Sequence, residues 1–148
     1  MAGVQATGAG HITTIRRRVD YSEIDQQGVV YHARYLVWLD VARTEHLRSI
    51  AMSYRDLEAA GFWLMVSELT IRYRRSAHYD DPIRVRTWIR RVETRRVAFG
   101  YAVEHDESGV LLATASTELF VLDAAQRFSR FPDAVFDRLA PIPDPVRL

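Results

Sequence analysis

The stretch Asp25 to Tyr35, DQQGVVYHARY, sets a carboxylate, two amides and a glycine just ahead of a histidine and a long apolar run. A plain turn needs neither the Asp nor the His. Where a strand end, a glycine turn and the first turn of a helix follow one another, a carboxylate such as Asp25 stands beside backbone N–H groups that lack an intrahelical acceptor. Such groups can hold an oxyanion. Two readings stay open at this point: Asp25 caps its own turn, or it works beside an oxyanion site. His32 is in the same position, either a polar residue near a helix start or a participant in chemistry.

Composition removes most competing mechanisms. All 20 basic residues are Arg, and Lys, Cys and Asn are absent. A Schiff-base lysine, a cysteine nucleophile, a thiolate metal site, a disulfide and an N-glycan are therefore impossible. Carboxylates, imidazoles and hydroxyls must do any chemistry. His11, His46, His78 and His105 show no metal-binding spacing, and GxSxG, P-loop and GxGxxG patterns are missing, so neither metal nor cofactor is expected. A formal charge of +1 gives no long-range field for nucleic acid.

The elements that must position Asp25 can be read from periodicity. The 148 residues are one domain's worth. Ile12, Ile15 and Val19 around three arginines predict an edge strand. Ala33 to Ile50 has a helical period, with apolar residues at Tyr35, Leu36, Trp38, Leu39, Ala42, Leu47 and Ile50, and Val37 and Val41 widening the stripe. A helix this apolar in its first half must be wrapped on more than one side. Its second half, with Arg43, Thr44, Glu45 and Arg48, reads as wetter.

Ser53 to Gly61 predicts a short capped helix. Four strands follow, around Leu69–Arg74, Ile83–Ile89, Val97–Val103 and Val110–Leu122, with His105–Gly109 as a hairpin turn, all expected as a meander. A Pro-capped helix over 132–139 closes the pattern. The fold class is α+β, one curved antiparallel sheet around one long helix. Residues 1–11 read as a disordered tail, 12–140 as the domain and 141–148 as a Pro-rich tail. The N-terminus lacks a charged and then apolar leader, and no run of about 18 apolar residues occurs, so a soluble cytoplasmic protein without a membrane span is expected.

The wording from Tyr21 to Leu47, YSEIDQQGVVYHARYLVWLDVARTEHL, resembles the hotdog-fold acyl-CoA thioesterases, in the branch of the hydroxybenzoyl-CoA and Tol-Pal-associated thioesterases. The matching positions are Asp25, Gly28, Val29, Val30, Tyr31, Tyr35, Trp38, Ala42 and Arg43. A second segment, YRRSAHYDDPIRVRTWI from Tyr73 to Ile89, resembles the same family, and with the strand order the likeness runs from Ile12 to about Leu122. Ile24 departs from the small polar residue common before the Asp.

The resemblance implies that Asp25 is the catalytic carboxylate, either nucleophile on the thioester carbonyl or general base to a water. It implies that the helix N-terminus around Gly28, Tyr31 and His32 holds the oxyanion, with the His32 N–H pointing at the thioester oxygen and its side chain assisting. Partial positive charge at a helix start sits where the tetrahedral intermediate gathers negative charge, and a neutral imidazole there can relay a proton. Another hotdog branch carries its carboxylate on the central helix; Glu45 is the residue to weigh, and a surface pair with Arg48 is its better reading.

The same resemblance puts coenzyme A phosphates at the hairpin of Arg90, Arg91, Arg95 and Arg96, with Arg95 and Arg96 at the matching positions and guanidinium forks as the physical reason. Trp63 would line the acyl pocket, while Met65 reads as core. The implied substrate is an acyl-CoA, with acyl carrier protein as a second thiol carrier. A homodimer or dimer of dimers is expected, since a lone hotdog leaves a sheet edge open. The competing class is a non-catalytic acyl-CoA sensor, which would need an added DNA-binding segment for which eleven residues leave no room. A hydratase on this fold would need a His motif and a Pro-Gly helix start, both missing.

Overall fold

The computed structural model describes residues 9–148, so most of the expected N-terminal tail, residues 1–11, lies outside the described residues. Strand β1 (Thr13–Arg18) leads through a 3-10 turn (Tyr21–Glu23) to helix α1 (Arg34–Ser49) and short helix α2 (Tyr54–Ala59). Strands β2 (Trp63–Tyr73), β3 (Pro82–Val92), β4 (Arg96–His105) and β5 (Leu111–Leu122) and a one-turn helix α3 (Asp133–Phe136) complete it. The helix expected over 132–139 is thus shorter than its pattern suggested. Ser53 caps α2 as expected, its hydroxyl accepting from the Asp56 N–H, and Gly61 follows at φ +90°.

The sheet is antiparallel throughout, in the order β1-β3-β4-β5-β2. The expected meander therefore holds only for β3, β4 and β5. β2 pairs with β5 and forms the far edge, because a period of two identifies a strand without naming its neighbour. As an edge, β2 is exposed along most of its length where a half-buried strand was expected. Met65, expected in the core, is one of its exposed residues.

One face of α1 seats on the concave side of the sheet. Trp38, Leu39, Ala42 and Leu47 pack with Ile83, Val85, Ile89, Phe99, Val103, Leu119 and Val121 into one apolar cluster. Each large side chain so buried contributes roughly 1.5–3 kcal/mol. Val37 and Val41, at 49% and 44% exposure, stay open, so within one chain the helix is covered on one side rather than wrapped. Arg43 corrects the expectation of a wet second half. It is buried, donating to the hydroxyls of Tyr54 (2.8 Å) and Tyr101 (3.0 Å) and to Asp40 Oδ1 (2.6 Å).

On the convex side the Trp88 indole lies over Gly100, where a Cβ would come within 2.6 Å of the ring. Residues 141–148 run back over this face: the Ile142 N–H donates to the Ile89 carbonyl, and Asp144 accepts from Trp88 Nε1 and from the Arg90 fork, each at 2.9 Å.

His46 joins the helix to β1. It is 1% exposed, its Nδ1 lies 2.8 Å from Thr13 Oγ1, and its ring stacks on His11 at 4.5 Å. Burial, assisted by the neighbouring His11, lowers its pKa from 6.5 to about 4. The folded state thus takes up this proton later than the unfolded chain, and stability falls as pH drops from about 6.5 to about 4. The loss should be on the order of 3 kcal/mol. Urea midpoints measured across that range should show this slope in the parent and a shallower one in His46→Gln.

Candidate active site

The turn after the 3-10 segment is closed by its own backbone. Ile24 and Val30 form an antiparallel bridge, the Asp25 N–H donates to the Val29 carbonyl at 2.9 Å, and the Gly28 N–H to the Asp25 carbonyl at 3.0 Å. Gly28 has φ +81°, which is why the turn takes a glycine here. Asp25 Oδ1 accepts from the Gln27 N–H at 2.8 Å, so capping uses one carboxylate oxygen. Oδ2 has no hydrogen-bond partner among the described residues. The two readings of Asp25 are compatible: one oxygen fixes the rotamer and the other stays available.

The turn is docked to the β2–β3 connection, where the Val30 N–H donates to the Ala77 carbonyl at 2.9 Å. Tyr31 and His32 follow, and α1 begins at Arg34. The N–H groups of His32 and Ala33 have no acceptor among the described residues. The His32 carbonyl accepts from the Tyr73 hydroxyl at 2.7 Å, and its ring leans on that of Tyr31 at 4.5 Å.

Tyr73 stands at the end of β2, so the edge strand and the helix start are tied at this bond. Burial pushes the pKa of Tyr73 up. Tyr35 is also raised, by burial above all, against an opposing hydrogen bond with the Ala77 backbone. Both phenols remain protonated donors at neutral pH.

Asp25 and His32 face one cavity of about 310 Å³, together with Gln27, Tyr35, Tyr73 and Arg75. Gly28 shapes the turn behind it, and the Tyr31 ring is 46% exposed alongside. Tyr73, Arg74 and Arg75, which also border the cavity, were not singled out as site residues from the sequence. Their signal was the family-like segment from Tyr73, yet alternation along a strand does not say which end meets the helix.

The other expected site residues lie elsewhere in the chain. Arg95 and Arg96 flank the β3–β4 turn, where the Glu93 N–H donates to the Arg96 carbonyl at 2.9 Å. The Arg96 guanidinium is already paired with Glu93 and lies 3.6 Å from Glu118, whereas Arg95 has no acidic partner among the described residues. Trp63 opens β2 opposite Leu122, one step out of phase with Leu64 and Val121, which face the core. Both groups sit at the end of the sheet away from Tyr73; the eleven residues of β2 separate Trp63 from the Asp25 cavity, roughly 30 Å of strand. Glu45 is partly exposed and paired with Arg48, as expected.

Residues 19–147 match the model of the thioesterase-like superfamily. The chain belongs to that superfamily, and its fold is the hotdog. It is 32% identical over 111 residues to a putative acyl-CoA thioesterase, YneP, of Bacillus subtilis, covering 75% of this chain and 80% of that protein. It is 33% identical over 94 residues to the acyl-CoA thioester hydrolase YbgC of Escherichia coli, covering 64% of this chain and 70% of that one.

Among solved structures, the hypothetical protein TT1821 of Thermus thermophilus superposes with TM-score 0.82 at 34% identity, covering 86% of this chain and 96% of that one. A DHNA-CoA thioesterase of Staphylococcus aureus superposes with TM-score 0.77 at 30% identity, covering 80% of each. The reaction class expected of this thioesterase-like chain, thioester hydrolysis, agrees with these names. No helix among the described residues is long and apolar enough to cross a membrane.

Tyr73→Phe removes one hydroxyl and with it the restraint on the His32 carbonyl. It should lower kcat for an acyl-CoA roughly three- to tenfold with little change in KM, read by release of free thiol.

Proposed function

We propose that this chain hydrolyses acyl-CoA thioesters to the free acid and CoA, with Asp25 as the carboxylate and the N–H groups of His32 and Ala33 as the oxyanion hole. The observation that carries this reading is one cavity bordered by both Asp25 and His32, the first with an unengaged carboxylate oxygen and the second with an unengaged N–H. The thioester oxygen sits at the helix start, where two donors and the helix dipole offset the charge of the tetrahedral intermediate. Asp25 either attacks the carbonyl carbon, forming a mixed anhydride that water then hydrolyses to the free acid, or takes a proton from the attacking water; in both cases the C–S bond breaks and CoA leaves as the thiolate, which then gains a proton. The His32 side chain borders the cavity and can pass that proton.

The test is Asp25→Asn, which is nearly isosteric and keeps an oxygen for the Gln27 N–H. Turnover should fall on the order of a hundredfold or more, while acyl-CoA binding persists. Near-parent turnover would leave Asp25 as a turn cap only.

The active unit in this reading is a homodimer joined along β2. That strand has no neighbour on its outer side among the described residues, and Trp63, Met65, Val66, Leu69 and Tyr73 are exposed along it. Antiparallel pairing of two β2 edges sets the Trp63 end of one chain beside the Tyr73 end of its partner. Arg95 and Arg96 then approach the partner's Asp25 cavity, which they cannot reach in their own chain. Arg95 is the better phosphate ligand of the two, since Arg96 is engaged by Glu93. Acyl carrier protein is the alternative carrier of the thiol, and a dimer of dimers is the alternative assembly.

A subunit-mixing experiment reads this arrangement. Arg95→Ala/Arg96→Ala should raise KM for acyl-CoA more than it lowers kcat, and leave a pantetheine thioester without the nucleotide unaffected. Mixing those chains with Asp25→Asn chains should restore activity, because a hybrid dimer holds one complete site. Absence of recovery in hybrids that demonstrably form would locate both halves of the site in one chain.

A further inference from the structure

We infer that Glu23 is the positioning residue of this site: its buried carboxylate locks the Asp25 turn to β1 and α1 so that the catalytic carboxylate and the His32 N–H stand in register. The inference rests on the reading of Asp25 above. Glu23 is 7% exposed, two residues ahead of Asp25. Its Oε1 accepts from the Arg17 guanidinium at 2.6 Å and from the Asp20 N–H at 2.9 Å, and its Oε2 accepts from Trp38 Nε1 at 2.8 Å. The Arg17 guanidinium also lies over the Trp38 ring, 5.1 Å from its centroid.

Three separate segments therefore meet at one carboxylate. Arg17 comes from β1, Asp20 from the connection, and Trp38 from the fully buried face of α1. The Glu23 backbone completes the tie, since its carbonyl accepts from the Tyr31 N–H at 2.8 Å, the residue before His32. Side chain and main chain of one residue thus hold both ends of the loop that carries Asp25 at one end and His32 at the other. Both Glu23 carboxylate oxygens are engaged, by Arg17 and the Asp20 N–H on one side and Trp38 on the other, so the residue is held in place rather than free to exchange a proton with the cavity. Its effect on turnover passes through where Asp25 stands.

A fold-stabilising role alone would not require the partners to converge beside the turn. The chemistry does require it: misplacing a reacting group by about 1 Å can cost on the order of a hundredfold. Replacing the carboxylate by an amide turns an acceptor toward a donor, because an amide N–H₂ must then face Arg17, the Asp20 N–H or Trp38.

The experiment measures kcat and KM for an acyl-CoA in Glu23→Gln, Trp38→Phe, Asp25→Asn and the double variant Glu23→Gln/Asp25→Asn, well below each thermal midpoint and per folded protein. The expected result is a kcat roughly tenfold or more lower in Glu23→Gln with KM within about threefold, and a smaller loss of the same kind in Trp38→Phe. The double variant should turn over within about twofold of Asp25→Asn, since a residue acting through Asp25 has nothing left to position.

Parent-like kcat in Glu23→Gln, with only the thermal midpoint lowered, overturns the inference and leaves the Asp25 reading intact if Asp25→Asn is inactive. Losses that multiply in the double variant also overturn it. Should Glu23→Gln not fold, Trp38→Phe decides, since it removes the donor to Oε2 while the carboxylate and its other two donors stay, and an unchanged kcat there overturns the inference. Full turnover in Asp25→Asn removes the proposed function and the inference with it.

Discussion

The seating of α1 on the concave face of the sheet is the constraint from which the site follows. Trp38, Leu39, Ala42 and Leu47 lie on one face of the helix and are buried against three strands, which leaves the helix axis little freedom to turn or slide. The helix start, where the His32 and Ala33 N–H groups emerge, is then fixed relative to the sheet. The Asp25 turn is fixed to the same frame by the Val30 bond to Ala77 and the Tyr73 bond to the His32 carbonyl. Carboxylate and donors are held by separate attachments to one rigid body, so their separation does not depend on the loop's own stiffness.

The arginines divide by what faces them. On the convex face Arg84 and Arg86 converge on Glu104. Burial alone would push that carboxyl up, but hydrogen bonds from Arg86 and Arg84 prevail and hold it below the ordinary carboxylate range. Arg43 is buried among tyrosine hydroxyls, and Arg90 is spent on Asp144. Arg75 at the Asp25 cavity and Arg95 at the distant hairpin have no acidic partner among the described residues, so their charge remains available to an anionic substrate.

Much of this was legible in the sequence because it depends on local pattern. The period of 3.6 over Ala33–Ile50, the period of two in the later strands, the Ser53 cap, and Gly28 at a turn of positive φ are each set by near neighbours along the chain. Asp25 and His32 are likewise set near one another by a turn and a helix start seven residues apart, although the rest of the cavity wall, from Tyr73 to Ser76, comes from the end of β2 and the connection after it. Composition also acts without a fold, and the missing Lys and Cys excluded amine and thiol chemistry outright.

Tertiary structure decided what no local pattern can carry. Strand adjacency placed β2 at the far edge beside β5, and so left its apolar side chains and the helix flank of Val37 and Val41 uncovered. It carried Arg95, Arg96 and Trp63 to the end of the sheet opposite Asp25. It buried Arg43 on a helix face that reads as polar, because Tyr54 and Tyr101 arrive from elsewhere to accept its hydrogen bonds. It also gathered Arg17, Asp20 and Trp38 around Glu23, a residue with no distinguishing mark in the sequence. The first two follow from strand pairing, which joins residues distant in the chain, and the last two share one reason: a buried charged group is tolerated only where such distant partners converge on it, and that convergence exists only once the sheet has closed over the helix.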